Sequence, residues 1–214
     1  MKLSASLYAA NPLRLGDAVA AVAPYVGSFH VDVMDGRFAP AFGIGESLVS
    51  RLVAEEGAPP VDVHLMIEAP QRWARRFAGL GARRVIIHAE TVSDPLAVAD
   101  VIRAEGSLAY IALLPDTPIA RYAALLERID GLLLLTAPPG GGEFNETALA
   151  RSREAPEGLP LIVDGGINLR HFDALRACSV EFAVVGRALF ANPNPGDQAK
   201  KLERLALRAA ASPL

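Results

Sequence analysis

The chain has 214 residues, of which 51% are hydrophobic, so its length and apolar content suit one α/β domain with a continuous core. Its formal charge is -3 and the charged residues are scattered, which excludes the basic stripe of a nucleic-acid-binding protein. No apolar run is long enough to cross a bilayer, and the first residues resemble a strand rather than a secretory signal. We therefore expect a cytoplasmic protein that contacts neither nucleic acid nor membrane.

Short apolar, β-branched runs alternate with longer segments of helical period, which is typical of repeated β-α units on a parallel sheet. The pattern predicts strands at residues 3–7, 29–34, 61–66, 84–88, 108–113, 131–136, 161–164 and 182–186. Helices are predicted between them, for example at 71–79, 95–105, 119–128 and 169–177. Eight parallel strands favour a single (β/α)₈ TIM barrel over residues 1–214, and a doubly wound open sheet is the alternative.

The second predicted strand carries polar residues at the positions where barrel enzymes place their chemistry. Side chains alternate along a strand, so His30, Asp32 and Met34 share one face, and Val31 and Val33 share the other. In (β/α)₈ barrels the functional groups gather at the C-terminal ends of the strands. The polar face of this strand is therefore expected to point into the barrel mouth.

The third and seventh strands repeat this arrangement. Alternation in the third strand directs Asp62, His64 and Met66 inward. The seventh strand ends in Asp164, followed by Gly165 and Gly166, which allow a ligand to approach the backbone closely. Imidazoles and carboxylates from three strands are thus predicted to meet at one level.

The most economical explanation for these buried polar groups is a bound cation. Burying several titratable groups together is costly unless they pair or bind a metal. His30, Asp32, His64 and Asp164 form a mixed nitrogen and oxygen set, which favours one zinc ion per subunit and also suits iron, manganese or cobalt. Any one of them alone would be read as a core histidine or a turn-capping aspartate, and the prediction depends on the four together.

Other ionisable residues are given structural roles. We expect Asp62 to be a hydrogen-bonded carboxylate below His64, His88 to be structural at the end of the fourth strand, and Asp35 to form a turn before Gly36. The lysines are Lys2, Lys200 and Lys201, all near the ends of the sequence. No predicted strand end therefore carries an amine, which excludes a Schiff-base aldolase and argues against decarboxylases built on alternating Asp and Lys.

These residues and their neighbours give the sequence a strong resemblance to the ribulose-phosphate 3-epimerase family over nearly its whole length. The segments that carry it are 5–7, 14–16, 30–36, 62–66, 164–167 and the glycine at 186. The motifs His-Val-Asp-Val-Met-Asp-Gly and Asp-Val-His-Leu-Met together are highly specific. The resemblance implies a (β/α)₈ barrel and a metal-dependent isomerase of pentose phosphate metabolism.

The resemblance also implies roles for individual residues. His30, Asp32, His64 and Asp164 would bind the metal, and Asp32 and Asp164 would double as the acid/base pair that removes and returns the C3 proton of the substrate. The reaction would interconvert D-ribulose 5-phosphate and D-xylulose 5-phosphate through a metal-stabilised enediolate. Expected substrate contacts are Ser6, Met34, His64, Met66, Gly140, Gly141, Gly142, Gly165, Gly166, Gly186 and Arg187. A homo-oligomer is expected, with no number of subunits fixed.

The departures from the family pattern fall where the substrate is chosen. The loop after Thr136 is short and lacks the family's Gln, and Arg187 stands where Ser usually follows Gly186. Arg187 either binds phosphate through its fork of donors or points to solvent. The alternatives to the pentose phosphate reaction are 3-epimerisation of another ketose phosphate such as allulose 6-phosphate, a metal-dependent enediolate lyase, and a non-catalytic sugar-binding barrel.

Overall fold

The eight strands of the chain form a closed parallel barrel, in a computed structural model that describes residues 1–208. The strands follow one another round the ring in chain order, and β1 pairs with β8 through Leu3 and Ala183, which closes the ring. The TIM barrel is therefore confirmed, and the doubly wound open sheet is excluded. The strands are β1 Lys2–Ser6, β2 Ser28–Met34, β3 Val61–Met66, β4 Arg84–His88, β5 Leu108–Leu113, β6 Gly131–Leu135, β7 Leu161–Asp164 and β8 Phe182–Val185.

Helices cover the outside of the barrel. Within residues 1–208 the α-helices are α1 Leu15–Val22, α2 Glu46–Ala54, α3 Gln71–Gly79, α4 Pro95–Ala104, α5 Ala123–Leu126, α6 Glu146–Ala150, α7 Phe172–Ala177, α8 Arg187–Phe190 and α9 Pro195–Ala206. The start of α4 shows the local cause: the Asp94 side chain accepts a hydrogen bond from the Ala97 amide, and Pro95 occupies the first turn. Asn194 and Pro195 begin α9 in the same way.

The boundaries of several elements differ from the sequence pattern. Segments 119–128 and 169–177 each begin with a 3₁₀ turn, Ile119–Tyr122 and Leu169–His171, before the α-helix proper. Short 3₁₀ turns are common at helix ends because they satisfy backbone groups that an α-helix leaves free there. The last residues of the predicted single domain, 209–214, lie outside the described residues. Among residues 1–208, no helix combines the length and the apolarity needed to cross a membrane.

The register between β2 and β3 fixes which side chains enter the barrel. Asp32 pairs with His64, and Met34 pairs with Met66 one layer higher. The intervening Val63 is fully buried in the apolar layer between the sheet and the helices. Alternation along both strands therefore separates an apolar outer face from a polar inner one.

A buried ion pair fills the N-terminal end of the barrel, opposite the predicted site. Arg84 Nη1 donates a 2.9 Å hydrogen bond to Asp62 Oδ1, and Asp62 is fully buried. The Arg84 guanidinium also stacks over Phe182, 4.5 Å from the ring centroid, and lies 5.5 Å from the Tyr110 centroid. Asp62 is thus engaged below the site, and its partners are supplied by the neighbouring strands.

This pair makes the barrel sensitive to the loss of one partner. Replacing Arg84 by Met leaves the Asp62 carboxylate buried without a counter-charge, and we expect the free energy of unfolding to fall by about 3–5 kcal/mol. Urea denaturation followed by circular dichroism measures the change. The double variant Asp62→Leu/Arg84→Met removes both charges and should recover most of the loss, whereas equal destabilisation of single and double variants would contradict this account.

Candidate active site

Four polar side chains from three strands converge at the C-terminal mouth of the barrel. His30 and Asp32 come from β2, His64 from β3 and Asp164 from the end of β7. One nitrogen or oxygen from each lies within 4.8 Å of all the others. The structure thus brings together the four residues that the sequence predicts as metal ligands.

The distances show that the two imidazoles face the two carboxylates. His30 Nε2 lies 3.3 Å from Asp32 Oδ1 and 3.6 Å from Asp164 Oδ2. His64 Nδ1 lies 3.4 Å and 3.5 Å from the same two oxygens, and 3.3 Å from His30 Nε2. Two nitrogens and two oxygens therefore surround one small volume.

The electrostatics of this cluster shift two of its pKa values strongly. Burial alone would lower the pKa of His30, but the Asp32 and Asp164 carboxylates raise it to about 9. Burial alone would raise the pKa of Asp32, and the neighbouring His30 and His64 imidazoles instead hold it well below its usual range. The cluster therefore strongly favours a positive charge, whether a proton or a cation, placed next to its two carboxylates.

The residues present fit a divalent cation. Both imidazoles are fully buried, and Asp32 Oδ1 is buried without a hydrogen-bond partner among the described residues. An unpaired buried carboxylate oxygen is costly, and a cation would remove the cost. Two imidazoles with two carboxylates suit zinc and the neighbouring transition metals.

Ser6 is tied to this cluster through a carboxylate. Its hydroxyl donates a 2.8 Å hydrogen bond to Asp32 Oδ2, while Asp32 Oδ1 faces the imidazoles.

Asp35, three residues after Asp32, points away from the cluster. Its side chain accepts hydrogen bonds from the amides of Arg37, Phe38 and Glu68. Those bonds tie the loop after β2 to the loop after β3.

A cavity of about 660 Å³ opens above the cluster. Most of the residues predicted to contact substrate line it: Ser6, Met34, Met66, Gly140, Gly141, Gly142, Gly165, Gly166, Gly186 and Arg187. Asp32 and Asp164 also reach its floor, whereas His64 does not line it and lies buried beneath. The two carboxylates are thus accessible from the cavity, and the imidazoles support them from below.

The glycines after β7 are required by the backbone. Gly165 and Gly166 have φ angles of 114° and 68°, which side-chain-bearing residues rarely adopt. A Cβ atom on Gly165 would lie 2.5 Å from the Ala137 nitrogen. These residues therefore bring the loop after β7 against the loop after β6 and leave bare backbone facing the cavity.

Arg187 lies at the rim of the cavity and is exposed. Its Nη2 donates a 2.6 Å hydrogen bond to the Gly142 carbonyl. The side chain thus bridges the end of β8 to the glycine loop, an arrangement that the sequence alone does not reveal.

Sequence reasoning missed a further contact beneath the site. His88 is fully buried, and its Nε2 lies 3.0 Å from His64 Nε2. Burial lowers the pKa of His88 to about 4, so it is neutral at pH 7. On the far side of its ring, Nδ1 lies 3.4 Å from Glu90 Oε2. In the sequence, His88 and Glu90 lie two residues apart at the end of β4, and this spacing was the signal from which their contact could have been predicted.

Comparison with known proteins identifies the family of this chain. Residues 2–190 match the model of the family described as "Ribulose-phosphate 3 epimerase family". The chain belongs to this family. It is 37% identical over 213 residues to the ribulose-phosphate 3-epimerase of Mycobacterium leprae, covering 95% of this chain and 94% of that protein. It is 30% identical over 201 residues to that of Bacillus subtilis, covering 89% and 92%.

Solved structures share the fold at lower sequence identity. KGPDC from Streptococcus mutans matches with a TM-score of 0.74 at 16% identity, over 96% of each chain. The 3-hexulose-6-phosphate synthase of Salmonella typhimurium matches with a TM-score of 0.75 at 18% identity, over 97% of this chain and 99% of that one. These likenesses support the barrel architecture and leave the chemistry to the site residues.

The four-residue cluster predicts one bound zinc per chain that stabilises the fold. At a free zinc concentration 100 times the Kd, binding should raise the free energy of unfolding by about 2.7 kcal/mol. His30→Gln removes one donor and should lose most of this gain, as measured by urea denaturation with and without zinc. His171→Gln is the matched control, since His171 lies outside the cluster. An equal zinc effect in both variants would contradict a site at His30.

Proposed function

We propose that this chain is a metal-dependent 3-epimerase that interconverts D-ribulose 5-phosphate and D-xylulose 5-phosphate. The observation that carries the proposal is the pair of carboxylates, Asp32 and Asp164, at the floor of one cavity with two imidazoles beneath them. Membership of the ribulose-phosphate 3-epimerase family supports the same reaction. A binding protein without catalysis would have no need of two opposed acid/base groups.

The two carboxylates are proposed to move the C3 proton. They come from β2 and β7, which are separated in the ring by β1 and β8, so they approach the cavity from different walls. Asp32 Oδ1 faces the imidazoles, which leaves Oδ2, held by the Ser6 hydroxyl at 2.8 Å, to accept the proton. Asp164 Oδ2 likewise faces the imidazoles, which leaves Oδ1, protonated from solvent before the reaction, to give its proton to the opposite side of C3. Asp32 then holds the proton taken from C3, and exchange of both carboxyl groups with solvent resets the pair.

The bound cation is proposed to supply electrostatic stabilisation. Held by His30, Asp32, His64 and Asp164, it would stabilise negative charge on the substrate oxygens as the C3 proton leaves. Zinc is the cation we favour, with iron, manganese and cobalt as alternatives, because the donor set accepts all four.

The homo-oligomeric state and the cytoplasmic location stay predictions. Light scattering would measure the number of subunits.

Apolar side chains are proposed to keep water from the reacting atoms. Met34 and Met66 are both buried and line the cavity next to the carboxylates, and Leu135 adds to the same wall. A water-poor site strengthens the electrostatic interactions inside it and protects the intermediate. These residues are therefore proposed to form an apolar wall that excludes water, so that a carboxylate can act as the base that removes the C3 proton.

The phosphate end of the substrate is proposed to lie against the glycine-rich loops. Gly165, Gly166 and Gly186 expose backbone to the cavity, and Arg187 supplies the nearby positive charge. The hydrogen bond from Arg187 to the Gly142 carbonyl lies at this end of the cavity. Because that bridge differs from the family's usual pattern, a longer ketose phosphate such as allulose 6-phosphate is the second candidate substrate.

Loss of either carboxylate should strongly slow epimerisation. In deuterated water the zinc-loaded chain should convert D-ribulose 5-phosphate into D-xylulose 5-phosphate that carries deuterium at C3, which proton NMR detects. Asp32→Asn and Asp164→Asn should each slow this conversion by about 10²- to 10⁴-fold, since neither amide can transfer the proton. Asp17→Asn, at an exposed carboxylate paired with Arg14 on the surface, is the matched control.

The exchange experiment also separates the alternatives. Retained formation of D-xylulose 5-phosphate in either Asn variant would remove that residue from the acid/base role. Exchange with allulose 6-phosphate and none with ribulose 5-phosphate would favour the hexulose substrate. Release of a carbon fragment would indicate a lyase, and zinc-dependent binding without any exchange would indicate a sugar-binding protein.

Arg187 should act on substrate binding more than on turnover. Replacing it by Ala removes a charged donor at the phosphate end, and we expect KM for ribulose 5-phosphate to rise about tenfold with a smaller change in kcat. Steady-state kinetics at constant ionic strength measures both. Arg187→Lys keeps the charge and loses the forked pair of donors, so its KM should lie between those of the unmodified chain and Arg187→Ala. An unchanged KM in Arg187→Ala would place the phosphate elsewhere.

A further inference from the structure

A fully buried histidine, His88, and a partly buried glutamate, Glu90, lie one after the other behind the metal-facing ring of His64. His64 turns Nδ1 toward the carboxylates and Nε2 away from them, and the Nε2 atom lies 3.0 Å from His88 Nε2. His88 Nδ1 lies 3.4 Å from Glu90 Oε2; this contact does not have the geometry of a hydrogen bond, but neither atom has a hydrogen-bond partner elsewhere among the described residues. Neither His88 nor Glu90 lines the cavity, so direct contact with substrate does not explain their placement.

Glu90 is fixed so that one oxygen faces His88. Its Oε1 accepts hydrogen bonds from the Leu114 amide at 2.9 Å and the Thr117 hydroxyl at 2.6 Å. Burial alone would raise the pKa of Glu90, but His88 and these two donors hold it at about 2. Glu90 is therefore a carboxylate, which accepts hydrogen bonds and donates none.

A proton count along this line fixes the tautomer of His64. Glu90 Oε2 can only accept, so the hydrogen of His88 belongs on Nδ1, which faces that oxygen at 3.4 Å. A second hydrogen on Nε2 would place a positive charge against the ring that faces the metal position, so His88 Nε2 keeps its lone pair. That lone pair requires a hydrogen on His64 Nε2, because the two nitrogens are within hydrogen-bond distance. His64 Nδ1 is then left with its lone pair, directed at the site where the carboxylates and His30 Nε2 converge.

We propose that His88 and Glu90 are positioning residues that set the hydrogen of His64 on Nε2 and so prepare Nδ1 to bind the cation. The proposal rests on the metal site of the proposed function and adds to it two residues outside the cavity. A metal-bound histidine usually donates its other ring hydrogen to a carboxylate or carbonyl, which orients the ring. Here a second imidazole carries that interaction to Glu90.

The two candidate histidine ligands differ in this respect. His30 Nδ1 is buried and has no hydrogen-bond partner among the described residues, so no side chain dictates its tautomer. The line behind His64 is thus a specific arrangement for one ligand.

The substitution Glu90→Gln replaces the acceptor oxygen opposite His88 with an NH₂ donor and keeps the shape of the side chain. The Leu114 amide and the Thr117 hydroxyl both donate to Oε1, so the Gln carbonyl must take that position. Its NH₂ group then points at His88 Nδ1 and donates to it. His88 would carry its hydrogen on Nε2, and His64 would be driven to the tautomer with a hydrogen on Nδ1, facing the metal position.

Nitrogen-15 NMR of the histidine side chains in the metal-free protein tests the tautomer directly. We expect His64 to be protonated on Nε2 in the unmodified chain and on Nδ1 in Glu90→Gln. Competition with a chromophoric chelator measures zinc affinity, which should fall by about 10- to 100-fold in Glu90→Gln. A His64 that carries its hydrogen on Nδ1 in the unmodified chain would overturn the proposal, as would unchanged zinc affinity in Glu90→Gln.

Thr117→Val is the matched control, because it removes one bond to Glu90 Oε1 and leaves Oε2 and the Leu114 bond in place. Its tautomer and zinc affinity should stay as in the unmodified chain. Equal losses in Thr117→Val and Glu90→Gln would mean that Glu90 acts only by packing, which contradicts the proposal. If the unmodified chain binds no cation, the proposed function fails, while the His64 tautomer still confirms or contradicts the role of His88 and Glu90.

Discussion

The parallel register between β2 and β3 is the constraint on which the site depends. It sets Asp32 beside His64 in one layer and Met34 beside Met66 in the layer above. Because side chains alternate with a period of two, a slip of one residue would turn His64 toward the helices and bring an apolar neighbour into the mouth. The apolar outer faces of both strands oppose such a slip, so the same burial that stabilises the barrel also places the ligands.

Two layers of the barrel resolve their buried charge in different ways. In the lower layer Arg84 supplies the positive charge that Asp62 needs, at 2.9 Å. In the upper layer two carboxylates face two imidazoles, and no Arg or Lys within residues 1–208 forms an ion pair with them. The pKa of His30, raised to about 9, reports the same demand for positive charge. A proton and a metal ion therefore compete for this layer, and the neutral imidazoles needed for binding are available once the cation takes the place of the proton.

The sequence could predict the fold and the clustering of the four polar side chains because both depend largely on a short, regular period. Alternation in β2 and β3 is visible residue by residue, and the polar set stands out against valines. The contact of Ser6 with Asp32, the bridge from Arg187 to Gly142 and the line from His64 to Glu90 were not predictable in this way. Each joins residues from different parts of the chain, so it depends on side-chain rotamers and loop paths that no local pattern encodes.

The residues that hold His64 in place from behind and the loops that line the cavity are separate parts of the molecule. Glu90 is held by the turn that contains Leu114 and Thr117, and Arg151 in turn donates to the carbonyls of both residues. None of these residues lines the cavity, whereas the glycine loop and Arg187 do. Changes in the cavity loops can therefore alter the choice of substrate without disturbing the orientation of His64. This separation explains how changes in the cavity loops can coexist with an intact cluster of four candidate metal-binding residues.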